Sequence, residues 1–195
     1  MNATEQTRTF FNRLAEDWDQ NCEHDPKKLS AIVTLANIQK GSRVVDIGCG
    51  TGILFNDILT REPSELLGID LSDRMVAVAK GKFHNNSLRL LAADLFDTTE
   101  TDFDIATIYN TYPHFPDKQK LAGKVADMLV PGGRIMIAHS KSKEMINARH
   151  QGPEVSKMST ALLPAERESA SLTEFFNIDT LVDTPEMYII SGVKK

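Results

Sequence analysis

The sequence predicts a doubly wound α/β fold: a largely parallel sheet with helices on both faces, closed by an antiparallel hairpin. Three observations carry this. Short apolar runs rich in β-branched residues alternate with helical segments joined by short turns, the pattern of βαβ crossovers. One run, Arg43 to Ile47, passes directly into the alternating glycines Gly48, Gly50 and Gly52, after which a helix-like segment begins. Glycine tolerates positive φ and lets a ligand approach the backbone, so this crossover is a ligand-binding candidate. The last two apolar runs, about 178–183 and 187–193, are separated only by a turn containing Pro185. That is too short for a helical crossover, so they should pair antiparallel.

The elements follow in order. Residues 4–20 read as one helix, with Phe10, Phe11, Leu14 and Trp18 on one face. A second amphipathic segment spans 27–39 (Leu29, Ile32, Val33, Leu35, Ile38) and is closed by Lys40-Gly41. The first strand is 43–47, and its helix runs roughly 52–60, before Pro63. The second strand is 66–70; Ser72 then caps a helix over about 72–81 that ends at Gly81. The third strand is 87–92 and the fourth 103–109, followed by a helix over 117–129 that stops at Pro131-Gly132-Gly133. The fifth strand is 134–139, and residues 140–170 are polar and irregular, with one or two short helices. Asp46, Asp70 and Asp94 close three successive strands and so line one edge of the sheet, the edge at which ligands bind in such folds.

With 195 residues the chain is read as a single domain spanning 1–195, and 41% apolar with 25% charged content is ordinary for a globular protein. A net charge of −5, with only thin basic clusters (Arg74, Lys80, Lys82; Lys141, Lys143, Arg149), disfavours a nucleic-acid partner. No apolar run approaches the ~20 residues of a membrane span. The N-terminus lacks a basic segment followed by an apolar one, and Cys22 and Cys49 are too few for a disulfide framework, so a cytoplasmic setting is expected.

The glycine loop separates two ligand classes. A dinucleotide site wants glycines at the first, third and sixth positions, whereas here they fall at the first, third and fifth. Asp46, before the first glycine, would repel a pyrophosphate and attract a cationic ligand. The run Val44-Val45-Asp46-Ile47-Gly48-Cys49-Gly50-Thr51-Gly52 resembles motif I of the class I S-adenosylmethionine (SAM) methyltransferases, whose cofactor carries an amino group and a sulfonium and no phosphate. Asp70 in Leu66-Leu67-Gly68-Ile69-Asp70 resembles the motif II carboxylate that takes the ribose hydroxyls, with Leu71 beside the adenine. Ala92-Ala93-Asp94-Leu95 resembles motif III, Tyr109-Asn110-Thr111-Tyr112-Pro113-His114-Phe115 motif IV, and Leu129-Val130-Pro131-Gly132-Gly133-Arg134 the turn before strand five. Phe11-Asn12-Arg13-Leu14-Ala15-Glu16-Asp17-Trp18-Asp19 is similar to the cofactor-lidding helix of the ubiquinone/menaquinone-methyltransferase-like (methyltransferase type 11) group, with Trp18 where tyrosine is usual.

The resemblance implies a Rossmann-like seven-stranded sheet of order 3-2-1-4-5-7-6 with strand seven antiparallel. It also implies SAM as cofactor, held by Trp18, Asp46, Gly48, Cys49, Gly50, Gly52, Asp70, Leu71, Asp94, Leu95, Tyr109 and Asn110. Residues 1–40 become an N-terminal helical lid and 140–170 a substrate-wall insertion.

Methyl transfer from a sulfonium is an in-line displacement, so the protein chiefly aligns the reactants and excludes water; a base is needed only for a protonated nucleophile. His114, Tyr112 and His139 are the catalytic candidates, with His150 weaker. A metal site from His139 and His150 with Glu144 or Glu154 matches no compact ligand spacing, and no metal is expected. The run Asn110-Thr111-Tyr112-Pro113 departs from the Asn/Asp-Pro-Pro-Tyr/Phe run of amino-methylating DNA enzymes, and no cysteine stands in the loops after strands four or five for covalent cytosine methylation. A small-molecule methyl acceptor is therefore expected, without nucleic acid or a membrane span, and with a homodimer left open. The alternatives are a non-catalytic SAM-binding module and an NAD-dependent oxidoreductase.

Overall fold

The computed structural model describes residues 2–195. Its elements are α1 (Ala3–Leu14), α2 (Trp18–Asn21), α3 (Pro26–Leu35), β1 (Arg43–Ile47), α4 (Phe55–Leu59), β2 (Glu65–Asp70), α5 (Asp73–Lys82) and β3 (Leu88–Ala92). There follow β4 (Phe103–Tyr109), α6 (Lys118–Met128), β5 (Leu129–His139), α7 (Lys143–Arg149), α8 (Ala165–Glu168), β6 (Phe176–Asp183) and β7 (Tyr188–Lys194), with short 3-10 turns between some of them. The strand order is β3-β2-β1-β4-β5-β7-β6. β7 runs antiparallel to both β5 and β6, whereas β1/β2, β2/β3 and β4/β5 are parallel. The order expected from the motifs holds.

The chain falls into two compact units that divide between Glu100 and Thr101. In the first, β1 and β2 register Val45 against Leu67, and β2 and β3 register Gly68 against Leu90. Val44, Val45, Leu66 and Leu67 are fully buried, as are Leu54, Phe55 and Ile58 of the α4 region. Side-chain caps start two of the helices. Ser72 Oγ accepts from Met75 N–H at 3.1 Å to open α5, and Asp25 Oδ1 accepts from Lys27 N–H at 2.9 Å to open α3 behind Pro26. α1 buries none of its residues and is held instead by polar contacts. Arg8 Nε donates to Leu71 O at 3.2 Å, and Asn12 Nδ2 donates to Asp73 Oδ1 at 2.8 Å.

In the second unit the β5/β7 and β6/β7 ladders surround Ile135, Ile137, Ile189, Ile190 and Phe176, all at most 1% exposed. Several boundaries differ from the sequence reading: the second helix ends at Leu35 instead of 39, and α4 starts at Phe55 instead of 52. The single helix expected over 4–20 breaks after Leu14, and Trp18 opens a separate turn of helix; the break lets Asp19 bond to Thr51 and Lys82, a tertiary contact that outweighs helix propagation. β5 begins at Leu129, not at Arg134. The Pro131-Gly132-Gly133 run is an irregularity inside it, with pairing jumping from Phe103↔Leu129 to Ile105↔Arg134.

Candidate functional site

In the first unit the site is built on the β1–α4 crossover. Gly48, Gly50 and Gly52 all have positive φ (+66°, +53° and +88°), the left-handed region that side chains avoid. The two later glycines are needed for different reasons. A Cβ on Gly52 would stand 2.5 Å from the Phe55 ring and 2.8 Å from that of Phe83, so this position must be bare to pack. A Cβ on Gly50 would meet nothing within 4 Å, so here the backbone borders open space, a cradle that a side chain would fill. Asp46, 2% exposed, precedes the loop, and Cys49 within it is buried. Burial, followed by the charges of Asp70 and Asp46, pushes the Cys49 thiol well above its ordinary pKa, so it stays protonated and unreactive.

Asp70 ends β2 with its carboxylate fixed by two backbone donors. Gly50 N–H reaches Oδ2 and Ser72 N–H reaches Oδ1, each at 2.8 Å. Burial raises its pKa and the two hydrogen bonds lower it, leaving a net upward shift. The glycine loop and the β2 carboxylate are thereby one rigid part, and each oxygen keeps a further lone pair for a ligand. Leu71 follows, its carbonyl taken by Arg8 of α1. Asp94 caps the 3-10 turn Leu95–Asp97, accepting from Phe96 N–H at 3.0 Å through Oδ1, and Leu95 is buried.

The N-terminal segment reaches this loop through a residue that the sequence reading passed over. Thr51 Oγ1 donates to Asp19 Oδ1, and Lys82 Nζ pairs with Asp19 Oδ2. Burial opposes ionisation of Asp19, but the bonds from Lys82 and Thr51 hold its pKa below the usual value. Trp18, beside it, is half-buried and stacks edge-on against Phe11 at 5.9 Å.

The second unit gathers a polar cluster at the C-terminal ends of β4 and β5. Tyr109 OH donates to Ser140 Oγ at 2.8 Å. Asn110 adopts φ +53° and donates its N–H to Ala138 O at 3.0 Å, while its buried Oδ1 has no hydrogen-bond partner. His139, 0% exposed, has no hydrogen-bond partner at either ring nitrogen. Burial, with the charges of His150, Lys118 and His114, pulls its pKa down to about 3. His114 Nδ1 donates to Met158 O at 3.1 Å, and burial pulls its pKa down to about 4. Both imidazoles are therefore neutral at pH 7.

Tyr112 is 0% exposed, and its hydroxyl donates to Glu168 Oε1 at 3.3 Å. Burial raises its phenol pKa further, so it stays protonated. Lys118 Nζ donates to Tyr112 O at 2.6 Å and sits 3.9 Å from the Tyr112 ring centroid. Burial lowers its pKa to about 8 against the pull of Glu168. Among the described residues, no group of three His, Cys, Asp or Glu forms a metal-ligand set.

The family of methyltransferase domains matches residues 44–133, from β1 through the turn in β5. Over this span the chain is similar to the class I SAM-dependent methyltransferases. Among curated relatives, the ubiquinone biosynthesis O-methyltransferase of Coxiella burnetii is 28% identical over 138 residues, covering 66% of this chain and 58% of its own length. That of Paraburkholderia phymatum is 32% identical over 142 residues, covering 66% and 60%. The chain thus spans less than two thirds of the length of these relatives. Among solved structures, the N-methyltransferase NodS of Bradyrhizobium japonicum, in complex with S-adenosylhomocysteine (SAH), superposes with a TM-score of 0.74 at 16% identity, covering 97% of this chain and 98% of its own. A chain of the Haloferax volcanii complex between the Trm112 methyltransferase activator and a methyltransferase gives 0.79 at 18% identity, covering 94% and 97%. At these identities the structural likenesses speak for the class I methyltransferase fold.

Within this fold, sequence reasoning missed Asp19, Lys118, Glu168 and the pairing of His114 with His150. Asp19 had a signal, since it ends the family-like run Trp18-Asp19; Glu168 had none, lying in a polar segment with nothing to mark it as buried.

Proposed function

We propose that this chain binds SAM and transfers its methyl group to a hydroxyl of a small-molecule acceptor. The observation that carries the reading is the locked pair of glycine loop and Asp70: open space over Gly50, and a carboxylate fixed by Gly50 and Ser72 N–H. When bound, SAM supplies a methyl group activated on a sulfonium. The carboxylate of Asp70 takes the ribose diol, Leu71, Asp94 and Leu95 border the adenine, and Asp46 with Gly48, Cys49 and Gly52 frames the methionine end. Trp18 covers this site from the N-terminal lid, held down by Asp19.

On the acceptor side, the second unit offers neutral hydrogen-bonding groups in a buried setting. His114 and His139 stay neutral because burial disfavours their charged forms, so their ring nitrogens can accept a hydrogen bond from a hydroxyl and orient its oxygen, the proton passing on to water as the oxygen is methylated. Asn110 Oδ1 accepts from the same class of ligand. Tyr112 acts as a positioning residue, since its hydroxyl is committed to Glu168.

Residues 140–170 form the acceptor wall and are braced from within. Asn147 clamps Leu162 through two hydrogen bonds of 3.0 and 2.8 Å, and Thr160 N–H donates to Pro113 O at 2.8 Å. The curated relatives' names, O-methyltransferases of ubiquinone biosynthesis, favour an oxygen nucleophile on a small hydroxylated compound. A reducing cytoplasm suits two cysteines of which neither forms a disulfide.

The test is calorimetric titration with SAM, SAH and NAD, followed by a screen for SAH release with a panel of small phenols and catechols. Micromolar SAM and SAH binding with turnover of a phenol establishes the reading. Binding without turnover of any acceptor favours a SAM-binding module, and binding of NAD alone would make the chain an oxidoreductase.

A further inference from the structure

His114, at the end of the 3-10 turn after β4, and His150, at the C-cap of α7, present their Nε2 atoms to each other at 3.4 Å. We propose that these two imidazoles form a binding site for a borderline divalent cation of the Zn2+ class. Their tautomers follow from their other partners. His114 Nδ1 lies 3.1 Å from Met158 O, and His150 Nδ1 lies 2.7 Å from Ile146 O. A carbonyl only accepts, so both Nδ1 atoms carry the hydrogen and both Nε2 atoms turn a lone pair toward the other ring. Two lone pairs at this separation repel unless an electrophile lies between them.

The separations fit a metal better than a shared proton. With Zn–N of about 2.0–2.1 Å and a tetrahedral angle, two coordinating nitrogens stand about 3.3–3.4 Å apart. An N–H···N hydrogen bond prefers near-collinear atoms, which at 3.4 Å between nitrogens would put the ring centroids about 5.6 Å apart. They are 5.0 Å apart, so at most one of the two rings aims its Nε2 along the line joining the nitrogens. A backbone carbonyl on each Nδ1–H is also the usual outer-shell arrangement of a ligating histidine, fixing tautomer and ring orientation.

His139, buried with no hydrogen-bond partner at either ring nitrogen, lies within electrostatic reach of both histidines. The remaining coordination positions fall to water or to an acceptor oxygen, the open form of a metal site. Lys118 also acts electrostatically on His114, and its charge weakens cation binding. The site goes beyond the methyl-transfer reading: a cation and a proton compete for the same Nε2 lone pairs, and a bound cation would take over activation of the acceptor hydroxyl.

The test uses the full chain, stripped with chelator and titrated with Co2+ by visible absorption and with Zn2+ by calorimetry. Wild type and His84→Ala, an exposed histidine elsewhere, should bind one cation per chain with the d–d bands of nitrogen-coordinated Co2+. His114→Ala and His150→Ala should each weaken binding at least ten-fold. Absence of binding in wild type, or equal affinity in all four proteins, overturns the proposal. Should either variant fail to fold, long-range 1H–15N spectra of wild type decide: Zn2+ must shift Nε2 of His114 and His150 together, and unmoved resonances reject the site. SAH affinity, measured alongside, judges the methyltransferase reading separately, because it reports on the glycine-loop unit.

Discussion

The carboxylates of the glycine-loop unit find their partners within the unit, whereas key polar groups beyond Thr101 wait for theirs. Asp70 accepts from two amides, Asp94 from one, and Asp19 from Thr51 and Lys82. In the second unit Asn110 Oδ1 and both nitrogens of His139 are buried without a hydrogen-bond partner. Leaving a buried polar group unsatisfied costs about 1–3 kcal/mol, so a ligand that bonds to these three atoms at one end of β4 and β5 would remove that cost on binding. On the proposed reading, backbone amides preset the cofactor site, and the acceptor itself completes the acceptor site.

Changes on the glycine-loop side should have the largest effects on ligand binding. Asp70→Ala removes the proposed diol acceptor and strands two amides, so SAH affinity should fall about 100-fold, in line with about 2–3 kcal/mol for charged hydrogen bonds; calorimetry reads it directly. The two later glycines should separate stability from binding. Gly52→Ala combines a left-handed φ penalty of about 1–2 kcal/mol with overpacking against Phe55 and Phe83 of about 1–3 kcal/mol, and should lower the melting temperature by about 4–20 °C. Gly50→Ala incurs only the φ penalty, and its methyl enters the cradle; SAH binding should drop more than stability does. Equal losses in both assays for both variants would remove the distinction between them.

The second unit should respond in the opposite sense. His139→Leu replaces a buried imidazole that has no hydrogen-bond partner with an apolar side chain of similar bulk, so the unliganded protein should gain up to about 1 kcal/mol in urea unfolding while acceptor turnover collapses. The pH dependence follows from the same residues. His114 and His139 have folded pKa values of about 4 and about 3, below the ordinary 6.5. The unfolded chain therefore binds more protons below pH 6.5. Their stabilising contribution is complete above 6.5 and is lost as pH falls, by up to about 1.4 kcal/mol per pH unit for each group. Between pH 6.5 and 5 wild type should lose stability about twice as steeply as His139→Leu. The smallest effect is expected from Asp19→Ala, whose bonds to Thr51 and Lys82 are partly exposed: SAH affinity should weaken about three- to ten-fold.

Legibility in the sequence divides along the same line. The strand order comes through the resemblance of the motifs, whereas the Ser72 cap and the positive-φ glycines follow from local patterns, because strand-to-helix turns and N-caps are chemistry between near neighbours. The helix over 4–20 was misread because its break after Leu14 is stabilised by a partner 32 residues away, Thr51 on Asp19. The cluster of His114, His150, Lys118 and Glu168 draws on residues spread over 55 positions, and no spacing rule joins them. In the 140–170 segment, sequence reasoning recognised the irregularity but could not see that Asn147 folds it back on Leu162.

The bond from Gly50 N–H to Asp70 Oδ2 has one more consequence. The amide hydrogen of Gly50 lies against the carboxylate proposed to take the ribose, so its chemical shift should follow whatever changes the electron density on that oxygen. Protonation of Asp70, capture of a diol, or loosening of the loop would each move a single, readily assigned glycine resonance. The turn that builds the site thus carries its own spectroscopic reporter, and a two-dimensional 1H–15N titration could follow occupancy with no label beyond 15N.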